Sequence, residues 1–197
     1  MAIHGGYMIG EKWLRPNMSD ELMDRAVCQT CGQTETMEHI LFTCTEVGRE
    51  TIWDLLRSTW PSSTHETPIP DWGTIFGAAC ANFRKNPTGS RDTLAEKRWA
   101  ILAIESAHLI WKLRCERVIS RSGRHFSEQE VTNRWFSALD RRLSLDRRTA
   151  ALVQGKKRSR WAKLVDGIWR PVLENSDNLP PEWVTNSGVL VGIKGGR

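Results

Sequence analysis

Residues 28–44 read CQTCGQTETMEHILFTC, a C-x2-C-x7-H-x4-C spacing formed by Cys28, Cys31, His39 and Cys44. A C-x2-C turn places two thiolates on one side of a tight loop, and Gly32 lets the backbone fold back behind Cys31. His39 and Cys44 then supply the other corners of a tetrahedron. Three thiolates and one imidazole suit Zn2+, a borderline-soft ion with no redox change of its own. Four protein ligands leave no open coordination position, so the spacing predicts one structural Zn2+ and no activated water. The alternative is a set of core cysteines beside a hydrogen-bonded histidine. Against it, four potential ligands fall within seventeen residues, whereas the remaining 180 hold only two cysteines, Cys80 and Cys115. Those two lie in apolar helical contexts and read as core residues, as does His108.

Outward from this cluster the chain reads as mostly α, a small zinc-stapled module followed by a helical domain with two long helices. Residues 1–60 form the zinc-binding module, 61–92 a linker and short helix, 93–175 a basic helical domain, and 176–197 a turn-rich tail. Within the first, residues 1–18 read as a short extended piece and loop, and a short helix follows from Ser19 to about Val27. A helix from Thr45 to Trp60 carries Val47, Ile52, Leu55, Leu56 and Trp60, and Pro61 ends it. Trp72–Phe83 reads as a short apolar helix. Thr93-x-x-Glu96 and Ser127-x-x-Glu130 both fit a capping box, which sets long helices over 93–121 and 127–153. The first is apolar nearly all round from Trp99 to Leu113, as expected of a helix covered on several sides. In the second, Val131, Trp135, Leu139 and Leu143 step by four along one face, and Arg134, Arg141 and Arg148 form a stripe beside it. A last helical piece is expected around 160–174, and SGVLVGI (187–193) as a short strand.

Charge divides the chain. Residues 1–66 hold five Lys/Arg and ten Asp/Glu, a net of −5, and residues 112–163 hold fifteen and five, a net of +10. Three thiolates on Zn2+ add about one more negative charge to the first part. A phosphate backbone, RNA or DNA, would therefore be met by Arg134, Arg141, Arg142, Arg147, Arg148, Lys156, Lys157, Arg158 and Arg160, with Trp161 beside them to stack on an unpaired base. Solvated helix faces, with Trp161 in the core, are the plain alternative. Lys157-Arg158-Ser159-Arg160 also resembles a short nuclear-import signal. Five cysteines, an odd count, and a start without a charged-then-apolar leader argue against a secreted disulfide framework. The longest apolar run, Trp99–Trp111, is broken by Glu105 and His108 and falls short of the ~18 residues of a membrane span. An intracellular protein with no membrane partner is expected. No G-x-x-x-x-G-K-[ST], G-x-S-x-G or H-E-x-x-H occurs, so no small-molecule substrate and no catalytic residue are expected.

One set of residues resembles a known family. Cys28, Cys31, Glu35-Thr36, Glu38-His39-Ile40-Leu41, Cys44 and Ile52-Trp53 resemble the zinc-binding domain of reverse-transcriptase polyproteins. The similarity is closer to the carboxyl-terminal region of fungal LINE-type (non-LTR) retrotransposon proteins. It extends over Gly6-Tyr7 to Trp13, Ile110-Trp111-Lys112-Leu113-Arg114-Cys115-Glu116-Arg117, Asn133-Arg134-Trp135, Arg141-Arg142-Leu143, and Leu179-Pro180 to Ile193. The resemblance implies a nucleic-acid-binding accessory region. It carries over no catalysis: there is no Asp-Asp pair for a polymerase, and neither the strands nor the carboxylate set of ribonuclease H. Two further readings remain beside it: a helical interaction module that docks on a reverse transcriptase domain or on its own copy, and a decayed fragment without activity.

Overall fold

A computed structural model describes residues 6–63, 65–155 and 157–195. The protein is mostly α-helical. Its order is α1 (Asp20–Met23), a π-type turn (His39–Thr43), α2 (Val47–Thr59), α3 (Trp72–Phe76), α4 (Thr93–Ile119), α5 (Glu128–Leu152) and α6 (Lys157–Trp169). Short 3-10 turns occupy Gly10–Trp13, where an extended piece and loop were expected, and Asp24–Ala26, Ala78–Cys80, Arg170–Val172 and Ser176–Asn178.

The apolar run of α4 becomes the central helix, packed against α2, α3, α5 and α6. The Val131, Trp135, Leu139 and Leu143 face of α5 is buried as its period predicts. Among the most deeply enclosed rings are Trp99, Trp135, Trp169 and Trp183. Each spends its indole N–H. Trp135 donates to Ser106 Oγ (2.9 Å), Trp99 to the Thr74 carbonyl (3.1 Å), Trp169 to Asp146 (2.9 Å) and Trp183 to Asp166 (2.5 Å). Satisfying the polar atom removes the main cost of enclosing a ring of this size. One hydrophobic core runs from Met37 to Ile193, so residues 1–60 and 93–175 share it through α2.

The helix ends follow local chemistry. α2 stops at Thr59 because Trp60, held extended (ψ 132°), precedes Pro61. At α4 the cap sits one residue earlier than the capping-box pattern suggests: Asp92, not Thr93, accepts the Ala95 N–H (3.1 Å), and Glu96 turns to the Arg91 guanidinium (2.7 Å). A carboxylate takes the cap in preference to a hydroxyl because its charge also meets the positive end of the helix. At α5, Ser127 accepts the Glu130 N–H (3.1 Å), while the Glu130 carboxylate pairs with Arg121 and Arg134 instead of closing the box. The 187–193 segment pairs with the body only at the single bridge Leu173–Ile193, and the described residues contain no strand. Its partner enters straight from the Arg170–Val172 turn, so the ladder has no room to extend. Trp72–Phe83 is α-helical only as far as Phe76 and then continues in the Ala78–Cys80 3-10 turn.

Asp92 also accepts from His65 Nε2 (3.1 Å). Burial raises its carboxyl, but the His65 bond, the Ala95 N–H and the nearby Lys85 outweigh this and hold it below the usual carboxylate value. The lowered value means that the contribution is present above the unfolded pKa of about 3.9 and lost as pH falls through the folded value. Asp92→Ala is expected to cost about 1–2 kcal/mol at pH 7. By urea denaturation the difference between variant and wild type should shrink as pH falls below about 4; a difference that does not diminish as pH falls would contradict the assignment.

Candidate metal centre and basic face

Cys28 and Cys31 lie on a turn closed by Cys28 N–H to the Gln33 carbonyl and Gly32 N–H to the Cys28 carbonyl, both 2.8 Å. Gly32 sits at φ +72°, a left-handed position that glycine takes without strain. His39 and Cys44 bracket the π-type turn, whose wide loop is closed by Cys44 N–H to the His39 carbonyl (2.8 Å). The Thr36 hydroxyl accepts the His39 N–H (2.9 Å) and so anchors the start of that turn.

The four ligand atoms lie within 4.8 Å of one another. Cys28 Sγ and Cys44 Sγ are 3.7 Å apart, and Cys31 Sγ is 3.4 Å from His39 Nε2. A tetrahedral ion with Zn–S of about 2.3 Å and Zn–N of about 2.0 Å requires edges of roughly 3.8 Å and 3.5 Å. The arrangement therefore fits one metal ion and is compatible with zinc. Thr43 Oγ1 lies 3.4 Å from His39 Nδ1 and orients the ring so that Nε2 faces the thiols. Cys28, His39 and Cys44 are buried. Burial raises the Cys28 thiol, but hydrogen bonds involving the His39 ring, the Thr30 and Cys31 amides and Cys44 outweigh it and bring the thiol to about 6. Burial, reinforced by the Cys28 and Cys31 sulfurs, pushes Cys44 up to about 12. A metal ion must displace the Cys44 proton at neutral pH, so binding weakens in acid.

The surroundings of the site come from α4, far along the chain. Arg117 of α4, 2% exposed, places Nη2 4.0 Å from Cys28 Sγ, donates to Thr30 Oγ1 (3.0 Å) and lies 3.7 Å from Glu46. One turn back, the buried Arg114 pairs with the buried Glu35. Glu46 also accepts from Thr30 and pairs with His125, both at 2.9 Å. The Cys28–His39–Cys44 cluster is thus met by a guanidinium from the central helix, which would offset the formal negative charge of a three-thiolate metal centre. Arg114 and Arg117 stand three residues apart on one face of a helix otherwise read as apolar. That spacing was the available signal, because a buried cation pair demands carboxylates opposite it.

The structure divides the predicted basic face. Arg134 bonds Glu116 (2.6 Å) and Glu130 (2.9 Å), and Arg142 pairs with Asp146 (3.1 Å) and Glu105 (3.7 Å). Arg147 donates to the carbonyls of Trp183, Asn186 and Val189 and so holds the tail against α5. These three serve the fold. Arg141, Arg148, Lys157, Arg158 and Arg160 are exposed and belong to no ion pair among the described residues; Arg141 bonds only Ser137. Trp161 is 41% exposed beside them, not in the core. Lys156 lies outside the described residues. Cys80 and His108, expected in the core, are exposed, because α3 and its following turn cover less of α4 than a longer helix would. Cys115 is half-buried, and burial raises its thiol.

No family model, curated protein or solved structure matches the chain. Among the described residues no helix is long and apolar enough to cross a membrane.

Proposed function

We propose that the chain is a non-catalytic, zinc-stapled helical protein that binds the phosphate backbone of RNA or DNA through the exposed cations of α5 and α6. The reading rests on one observation: among the described residues Arg141, Arg148, Lys157, Arg158 and Arg160 stay exposed with no ion pair, whereas Arg134, Arg142 and Arg147 are consumed internally. Side chains kept for the fold find carboxylates or carbonyls, and those left in solvent retain full charge toward an outside polyanion. Zn2+ is the ion for the Cys28, Cys31, His39 and Cys44 set, and its task is to fix the loop against α4. Such contacts carry little sequence selectivity. The resemblance to the tail of retrotransposon reverse-transcriptase polyproteins agrees with this role and makes a reverse transcriptase domain a natural neighbour.

Replacing Arg148, Lys157, Arg158 and Arg160 with Gln should weaken binding to a mixed-sequence oligonucleotide at low salt. The slope of log affinity against log salt should flatten by about 0.7–0.9 per lost contact. Arg134→Gln should leave that slope unchanged and lower stability instead. Wild-type protein that binds no oligonucleotide at low salt would overturn the reading and favour docking on a protein partner or self-association, whose apolar contacts depend little on salt.

A further inference from the structure

The central helix keeps one apolar strip uncovered. Ile104, Ala107, His108 and Trp111, at i, i+3, i+4 and i+7, face a cleft closed on its other sides by Tyr7, Met37 and Phe76. Its volume is about 390 Å3. Ile104 is 52% exposed there, although the sequence makes this the most apolar stretch of the chain. The Tyr7 and Trp111 rings stand 4.6 Å apart and form one wall.

The cleft does not end blindly. His108 on its rim also lines a groove between α4 and α5 that holds Lys112, Arg141 and Arg142. Arg141 and Leu145 of that groove line a further concavity with Arg148, Asn133 and Ser137. The carboxylates along the way are Glu105, which pairs with Arg142 (3.7 Å), and Asp140. An aromatic, apolar cleft therefore opens into a cationic track.

Resting on the nucleic-acid reading above, we infer that the ligand is single-stranded, with one unpaired base in the Tyr7–Phe76–Trp111 cleft and its phosphates along Lys112, Arg141 and Arg148. Two properties select this occupant. An aromatic cleft of this size, walled by the Tyr7 and Trp111 rings, favours a base face, which every nucleobase presents. The adjoining track is cationic, which suits the backbone that such a base carries. A duplex hides its bases from the cleft and would use the track alone. An apolar peptide would fill the cleft but has no need of the track.

The test compares a mixed-sequence 12-nucleotide single strand, its duplex, and an abasic 12-mer by fluorescence anisotropy at low salt. The single strand is expected to bind about tenfold more tightly than either control, the effect of one stacked base. Ile104→Glu changes an exposed position and should leave the helical circular dichroism intact. It should reduce single-strand affinity about tenfold, to that of the abasic oligomer, and leave duplex binding within twofold. Arg141→Gln with Arg148→Gln should weaken all three ligands. If the arginine variants weaken binding but Ile104→Glu has no effect on the single strand, the cleft inference is overturned and the backbone reading survives. If wild type binds none of the three, both fall.

Discussion

Cys44→Ser is expected to lower the midpoint of thermal unfolding by about 10 °C or more and to abolish protection from hydrogen exchange over residues 26–44. The zinc loop is a turn, a bridge at Val27–Thr34 and a π-type turn. These elements have few internal bonds and no core of their own, only Met37, Ile40 and Leu41 in the shared core, so a metal bound there would supply much of their folding energy. In small zinc peptides that energy is about 10–16 kcal/mol, comparable to the whole stability of a domain. Loss of even ~4 kcal/mol moves the midpoint of a chain of this length by about 8–16 °C. The damage should spread into α2, because Trp53 Nε1 donates to the Leu41 carbonyl (2.7 Å) and Arg49 bonds the Cys44 carbonyl. α4 to α6 should stay protected, held by their own indole bonds. Uniform loss across all helices, or none within 26–44, would show that the loop is not an element stapled by metal.

Glu35→Ala is expected to destabilise the protein by about 3–5 kcal/mol, measured by denaturant unfolding. It leaves the Arg114 guanidinium buried without its carboxylate. The apolar pair Glu35→Leu with Arg114→Met should recover most of the loss, because no buried charge then remains, and desolvation of two ions is avoided. The coupling between the two positions is therefore large, and a cost below about 1 kcal/mol for the single change would place Arg114 in solvent instead. The pair joins the segment just after the Cys28–Gly32 turn to the carboxyl-terminal part of α4. Arg117, one turn further on, joins the metal turn itself to that helix. Together they explain why an acidic amino-terminal part and a basic helix belong to one fold.

The parts legible in the sequence were those with a period or a fixed spacing. The four ligands, the two long helices and the Val131–Leu143 face all follow from local rules, and the structure places each where its pattern puts it. What the sequence concealed was partner choice. Arg134 and Arg148 occupy equivalent steps of one stripe, yet Glu116 of the preceding helix captures the first, while the second stays exposed and pairs with no carboxylate among the described residues. Arg147 looks like a phosphate ligand until the tail returns to accept its bonds. Such choices depend on contacts between segments 18 to 42 residues apart, which no local pattern encodes. The exposed Ile104 strip is a similar case: the apolar run announces burial, and only the early end of α3 leaves one side open.

The most direct test of the central claim is metal content with X-ray absorption on protein purified without chelator. The account predicts about one zinc per chain, with three sulfur neighbours near 2.3 Å and one nitrogen near 2.0 Å, and near-complete loss in the Cys44→Ser variant. Protein that folds after metal-replete refolding yet holds no zinc, or holds it with oxygen neighbours, would contradict it.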